Sequence, residues 1–298
     1  MIKIFFIILQ LILFLLAAPL LSGLISKIKN NIRMRRGQSI FQPYYNLVKL
    51  FSKEEVVAQT ASWIFKVTPF IVFSAMLTAA ILIPVFIFSP MHQMGDFLVL
   101  IFIFALGRFF MALAALDTGS SFGGMGSSRE MFISSLVEPA LCLAVFSIFL
   151  QFGSTDISVF SGGHPASICS FVAAIVLFLI TLVETSRIPV DNQETHLELT
   201  MVHEAMVLEY SGRSLALIEW AAQIKQMILF LLIVKIVFPV DFVGFWFFWY
   251  LVRIIIIVIA VALVEVSVAK MRLFRVADFL GFAFVLGVIA VVCAILGV

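Results

Sequence analysis

Eight stretches of the chain run apolar for about twenty residues each, the length of helix that crosses a hydrocarbon core roughly 30 Å thick. They are approximately Ile4–Ile25, Pro69–Phe88, Phe97–Leu116, Met131–Phe152, Ile168–Pro189, Ala222–Phe238, Gly244–Val264 and Phe279–Gly297. Each run is continuous and does not alternate every second residue, which predicts helices and not barrel strands. The pattern predicts an all-α integral membrane protein with about eight transmembrane helices, residues 1–298 forming a single polytopic membrane domain. The first run also has features of a signal peptide, since Lys3 precedes apolar residues that end near Ala17, Ala18 and Pro19. A signal core is shorter and proline would follow its cleavage site, so a membrane span is the preferred reading.

The basic residues orient the spans. Between the first and second spans lie Lys27, Lys29, Arg33, Arg35, Arg36, Lys49 and Lys53, and later loops on the same side add Arg129, Arg187, Arg213, Lys225, Lys270, Arg272 and Arg275. The opposite loops, 89–96, 153–167 and 239–243, contain no Lys or Arg. Both termini are therefore expected outside, with two long cytoplasmic loops, 26–68 and 187–221, as the surface that meets partners. No internal repeat is visible, which speaks against an inverted-repeat carrier.

Composition supports this picture: 63% of residues are hydrophobic and 12% charged, and the mean hydropathy is +1.19. Soluble domains carry about 45–50% and about 25%. A net charge of +2, with no basic tract interleaved with aromatics, excludes a nucleic-acid partner. Cys142, Cys169 and Cys293 are scattered in apolar runs without C-x-x-C spacing. They read as small hydrophobes, and no metal or cofactor site held by this chain alone is expected.

Ionisable residues inside spans cost on the order of 2.5–3.5 kcal/mol each and mark functional interiors. Arg108, Glu138, Glu184, Lys235 and Arg253 lie within spans, and Glu265 ends the seventh. Counted along their helices, Arg108, Glu138 and Glu184 fall in the cytoplasmic half of the bilayer, Glu138 about 10 Å from the end of its span. They are expected to pair around one cytoplasm-facing pocket; static ion pairs that only fix helix packing are the competing reading. Arg187, three residues after Glu184, is placed on the same helix face. Lys235 is near enough to the outer end to snorkel, whereas Arg253 is closer to the midplane.

After the fifth span, Asp191, Glu194, His196, Glu198, His203, Glu204 and Glu209 follow in quick succession. A short helix is expected from Thr195 to Leu208, with Leu197, Met201 and Leu208 on one side. Buried beside water, such carboxylates and imidazoles pass protons by short hops. A solvated acidic loop is the alternative, and H-E-x-x-H spacing for zinc is absent. The Gly- and Ser-rich stretch Asp117–Glu130 lacks the ending of a phosphate-binding loop and reads as a tight, close-packed turn. Asp117, Arg129 and Glu130 are candidates to extend the pocket to the surface.

Two motifs carry a resemblance. RMRRGQSIFQPYYNLVKLFSKE (Arg33–Glu54) resembles the first cytoplasmic loop of the proximal membrane subunit of respiratory complex I, known as NADH dehydrogenase subunit 1, with its RRGP core, Q-P and K-L-x-x-K-E. ETSRIPVD (Glu184–Asp191) and LEYSG (Leu208–Gly212) are similar to its second loop. Gln38 stands where the quinone-reducing branch favours proline, and His196 where that branch is acidic. THLELTMVHE and LDTGSSFGGMGSSRE are similar instead to the homologous subunit of group 4 membrane-bound nickel–iron hydrogenases, whose members include formate hydrogenlyase subunit 4 and hydrogenase-4 component C.

The resemblance implies an energy-coupling membrane subunit in the cytoplasmic (inner) membrane that docks a peripheral redox arm. The partners implied are hydrogenase-type large and small subunits, an iron–sulfur subunit and antiporter-like membrane subunits, with the NiFe centre and iron–sulfur clusters in those partners. On this reading Glu138, Glu184, Asp191, Glu194, His196, Glu198, Glu204 and Glu209 carry or gate protons (or sodium), and Arg108, Arg187 and Arg253 tune them. Arg33, Arg35, Arg36, Lys49 and Lys53 dock the arm. The alternatives are the quinone-site subunit of complex I and, from another class, a freestanding ion or solute carrier.

Overall fold

The computed structural model describes residues 2–85, 95–157, 167–191, 202–238 and 246–297. Ten helices are present among them: α1 (Ile2–Ile32), α2 (Gln42–Phe51), α3 (Trp63–Leu82), α4 (Phe97–Asp117), α5 (Ser121–Phe152), α6 (Ile168–Glu184), α7 (His203–Val207), α8 (Gly212–Val237), α9 (Trp246–Ser267) and α10 (Leu273–Leu296). Seven are long and apolar enough to cross a membrane. The eighth expected span, α6, is equally apolar but has 17 residues, about the shortest length that crosses. The chain is thus an all-α, multi-pass membrane protein.

Hydropathy locates the helices but not their ends. α1 continues past Ile25 to Ile32, and α8 begins at Gly212, ten residues before its apolar run. The Gly- and Ser-rich stretch is not a turn beyond Ser120, because Ser121–Glu130 forms the first turns of α5, capped by the Ser120 hydroxyl at 3.1 Å from the Gly123 amide. Gly126 serves close packing: a Cβ there would lie 3.0 Å from the Met206 backbone nitrogen of α7. α2 is an amphipathic helix inside a segment whose pattern reads as loop, with Leu47 buried and Tyr45, Val48 and Lys49 exposed. Of the helix expected over Thr195–Leu208, α7 is the described part; Leu197 and Met201 lie outside the described residues.

α8 is the centre of the bundle, with 67% of its apolar window buried, whereas α10 buries 22%. α1, α3 and α6 pack directly on α8, and α10 lies along α5 and α6. The segment between α2 and α3 is tied to the start of α8, where the Ser211 hydroxyl bonds both the amide and the carbonyl of Val56 at 2.8 and 3.0 Å.

Prolines generate much of the cross-bundle hydrogen bonding. A proline has no N–H, so the carbonyl four residues earlier loses its helical donor. In hydrocarbon such a carbonyl finds no water, and leaving it unsatisfied costs several kcal/mol. Pro19 frees the Leu15 carbonyl, and the Trp220 indole of α8 donates to it at 3.1 Å. Pro69 frees the Phe65 carbonyl, and the Tyr210 hydroxyl donates to it at 3.0 Å, its ring stacked on Phe65 at 3.9 Å. Pro84 stops α3 and frees the Ala80 carbonyl, to which Gln10 Nε2 donates at 2.6 Å while also reaching Ile83. Burial raises the Tyr210 phenol above its ordinary pKa, so it remains a donor at neutral pH.

Tyr210→Phe keeps the stack and removes the donor. It is expected to cost about 1–3 kcal/mol, the penalty for an orphaned buried carbonyl. Tyr45→Phe, on an exposed side chain, is the matched control. Thermal unfolding of the detergent-solubilised protein reads both, and equal midpoints for the two variants would refute the account.

Candidate functional site

The charged site forms where α6 stops. After Glu184 the chain leaves the helix through Ser186, which has a left-handed φ of 50°, and the Arg187 amide returns to the Leu182 carbonyl at 2.9 Å, a Schellman-type closure. α1, α5 and α8 have 31, 32 and 26 residues against 17 in α6, so they overshoot it by roughly 14–22 Å at 1.5 Å per residue. The space left under the short helix is a cavity of about 410 Å³ at the loop-bearing end. Its walls come from α1, α3, α4, α8 and the end of α9, with α7 and the Glu184–Asp191 segment closing it.

From the cavity wall outward, four ionisable side chains alternate in sign. Arg108 of α4 extends one guanidinium nitrogen to Glu184 at 2.5 Å and the other to Glu138 of α5 at 2.7 Å. The second oxygen of Glu184 meets the ammonium of Lys225, thirteen residues into α8. Glu184 is the last residue of its helix, where the helix dipole disfavours a negative charge, so two cations facing it answer a local need. Lys225 also lies over the Phe104 ring, at 5.8 Å.

A second cluster closes the opposite side. Glu265, near the end of α9, accepts from Arg187 at 2.6 Å and meets Lys29 of α1 at 3.1 Å. Arg187 donates further to Gln226 of α8 at 3.0 Å. Asp191 joins three segments: it bonds Lys270 at 2.7 Å and accepts from the Val202 amide at 2.9 Å. Arg187, Asp191 and Glu265 are all below 9% exposed, so these three groups are largely desolvated.

The structure therefore brings Arg108, Glu138 and Glu184 into one ionic chain, as their positions within the spans suggest. Only Arg108 and Glu184 line the cavity; Glu138 stands on its outer side, with 44% of its side chain exposed. α5 begins at Ser121, ten residues before the apolar run, so the helix extends about 15 Å beyond that run at the loop-bearing end. Arg187 is not on the helix face of Glu184, since α6 has ended, and it turns to Glu265 instead. Arg253 does not belong to the site: it donates to the Phe238 carbonyl at 3.1 Å and so caps α8 at the other end of the bundle. Lys235 is buried, at 9% exposure.

Asp191 and Glu204 line the cavity, whereas Glu209 is half-buried outside it. Glu194, His196 and Glu198 lie outside the described residues. Asp117 accepts from the Ser62 amide at 2.8 Å and ties α4 to α3, while Glu130 does reach the cavity. Of the basic residues expected to dock a partner, Arg35, Arg36, Lys49 and Lys53 are exposed and Arg33 is half-buried. Lys225, Lys29, Glu219, Gln226 and Lys270 belong to the site without being singled out by the sequence, where the three lysines read only as loop charges.

Chemically, the cavity offers carboxylates, two ammonium groups, two guanidinium groups and one imidazole within one space. Desolvation lowers the His203 pKa below its usual range and Lys225 adds to that, while Glu204 opposes it. The neutral ring both donates and accepts, which suits a proton relay. Among the described residues no three His, Cys, Asp or Glu side chains gather as a metal ligand set.

Comparison with known proteins agrees with the loop motifs. The sequence profile of the family described as NADH dehydrogenase matches residues 3–296. Hydrogenase-4 component C of Escherichia coli (strain K12) is 36% identical over 235 residues, 77% of this chain and 74% of that protein. Formate hydrogenlyase subunit 4 of the same strain is 34% identical over 228 residues, 74% and 73% of the two chains. NADH-quinone oxidoreductase subunit 8 of Rhodothermus marinus is more distant, 28% identical over 222 residues, 66% of this chain and 62% of that one. A chain of the membrane-bound sulfane sulfur reductase (MBS), an archaeal respiratory membrane complex, shares the fold with a TM-score of 0.84 at 17% identity, covering 97% of this chain and 99% of its own.

The Glu265 cluster predicts an asymmetry. Glu265→Gln leaves Arg187 and Lys29 facing each other without their shared anion, an expected loss of about 3–5 kcal/mol. Lys29→Met leaves the Arg187–Glu265 pair intact and should cost clearly less. Thermal unfolding in detergent measures both, and equal losses would show that the carboxylate does not hold the cluster.

Proposed function

The chain belongs to the NADH dehydrogenase family, and from that membership we propose that it is the membrane-anchoring, energy-coupling subunit of a group 4 nickel–iron hydrogenase or formate hydrogenlyase-like complex. The similarity at more than 30% identity to two hydrogenase-system components supports this branch over the quinone-reducing one. The observation that carries a coupling role is the chain Lys225–Glu184–Arg108–Glu138, which runs from the cavity wall to the flank of the bundle.

On this reading the loop-bearing end faces the cytoplasm and the protein sits in the inner membrane. The exposed Arg35, Arg36, Lys49 and Lys53 bind the peripheral arm, whose NiFe centre and clusters are held by hydrogenase-type large and small subunits and an iron–sulfur subunit. Arrival of a proton at a cavity carboxylate such as Glu130, Glu204 or Glu219 changes the charge that Lys225 faces. Lys225 then redistributes between those groups and Glu184, and Arg108 redistributes between Glu184 and Glu138. The charge change is thereby transmitted about one helix diameter sideways, towards antiporter-like membrane subunits, without a cofactor in this chain.

One observation favours a second reading, the quinone-site subunit of complex I. Arg187 Nε and Gln226 Nε2 are buried donors in the cavity wall with no hydrogen-bond partner among the described residues, as a carbonyl-bearing ligand would require.

Purification of the tagged chain in mild detergent, with protein identification, metal analysis and hydrogen-dependent dye reduction, separates the readings. Nickel, iron and hydrogen activity are expected; iron, flavin and NADH activity without nickel would transfer the assignment to complex I. Glu184→Gln, which keeps a polar group of the same size opposite Arg108, is expected to leave assembly intact and to abolish ion movement coupled to turnover. Full coupling in that variant would remove Glu184 from the path.

A further inference from the structure

Within its apolar run, α5 presents a face left exposed by the described residues. Met131, Ser135, Glu138, Cys142 and Phe146 recur every three or four residues and share one side of the helix. All are exposed except Glu138, whose side chain is 44% exposed. Glu138 lies seven residues, about 10 Å, inside the apolar run that begins at Met131, beyond the reach of its side chain to the headgroups on that side, and the Phe152 end is farther still, about 21 Å. A carboxylate turned to lipid at that depth costs on the order of 2.5–3.5 kcal/mol. Among the described residues its ion-pair partner is Arg108, which is shared with Glu184. Pro139 adds a second acceptor there, because it deprives the Ser135 carbonyl of its ordinary helical donor.

We infer that this face of α5 is covered by a transmembrane helix of a neighbouring subunit, which places a lysine or arginine at the level of Glu138, against its carboxylate and the Ser135 carbonyl. Lipid tails offer neither charge nor donor, and a headgroup does not descend to that level. The small side chains of Ser135 and Cys142 flanking Glu138 allow a second backbone to approach closely, as helix pairs in membranes require. The inference deepens the proposed function by naming the face through which the ionic chain leaves this subunit, and it rests on that reading for the presence of a neighbour.

The test introduces the photoreactive p-benzoylphenylalanine at Cys142 and, separately, at Phe146, in the complex purified through a tag on this chain. Both sites leave Glu138 and Arg108 untouched. The expected product is one adduct, mapped by mass spectrometry to a transmembrane segment of a co-purifying subunit that carries a lysine or arginine inside the segment. Glu138→Lys is then expected to reduce recovery of that subunit by at least about tenfold, with recovery regained when the partner's cation is exchanged for glutamate. Adducts with lipid alone, in a complex that retains its other subunits, would overturn the inference and leave the proposed function standing. An adduct on a segment without a basic residue would overturn the partner's chemistry. A protein adduct of the expected kind in a nickel-free, NADH-oxidising complex would uphold the inference while refuting the hydrogenase assignment. A chain that purifies alone would refute both.

Discussion

Within a hydrocarbon layer there is no water to take up a hydrogen bond, so each polar group that a helix exposes must be answered by another part of the protein. The bundle is organised by that requirement. Pro19, Pro69 and Pro84 each free a carbonyl, and each carbonyl receives a side-chain donor from a distant segment: Trp220, Tyr210 and Gln10. These bonds fix α1 against α8, the loop before α8 against α3, and α1 against the end of α3. The prolines thus weaken individual helices and add specific contacts between them.

The same requirement explains why the shortest helix makes the site. α6 ends inside the bundle, so its last residue, Glu184, and the following Arg187 and Asp191 are held at a depth where solvation is poor. Each is met by a charge from another segment, and for Glu184 and the Arg187 cluster the longer neighbours supply it: Lys225 from α8, Lys29 from α1, Arg108 from α4. A cavity lined by charges is the consequence of ending one span early while its neighbours continue.

Arg108, Glu138 and Glu184 are legible in the sequence because ionisable residues interrupt otherwise apolar runs. Lys225 and Lys29 are not, for a physical reason. Hydropathy detects the part of a helix that suits lipid, whereas helix formation continues through polar turns that face protein or water. Since α8 begins at Gly212, Lys225 is well inside a helix although it stands at the edge of the apolar run. The same extension hides the first turns of α5. The pairing of Arg253 with the end of α8 and of Trp220 with Leu15, 205 residues away in the chain, depends on tertiary contacts that one sequence does not display.

The two ionic clusters differ in a way that bears on whether they work or merely hold. Buried ion pairs add little net stability compared with well-packed apolar side chains, so their presence alone argues for neither role. The Lys29–Glu265–Arg187 group is closed: its carboxylate is 3% exposed and takes a cation on each oxygen, and Arg187 is fixed again by Gln226. The Lys225–Glu184–Arg108–Glu138 chain is open at both ends, with cavity carboxylates beyond Lys225 and a half-exposed Glu138 at the flank. Each of its cations has a second anion within reach, so a charge added at either end favours a different pairing. On the proposed function the closed cluster anchors the cavity wall, and the open chain is the element that two sites can bias, which is the physical condition for coupling between them.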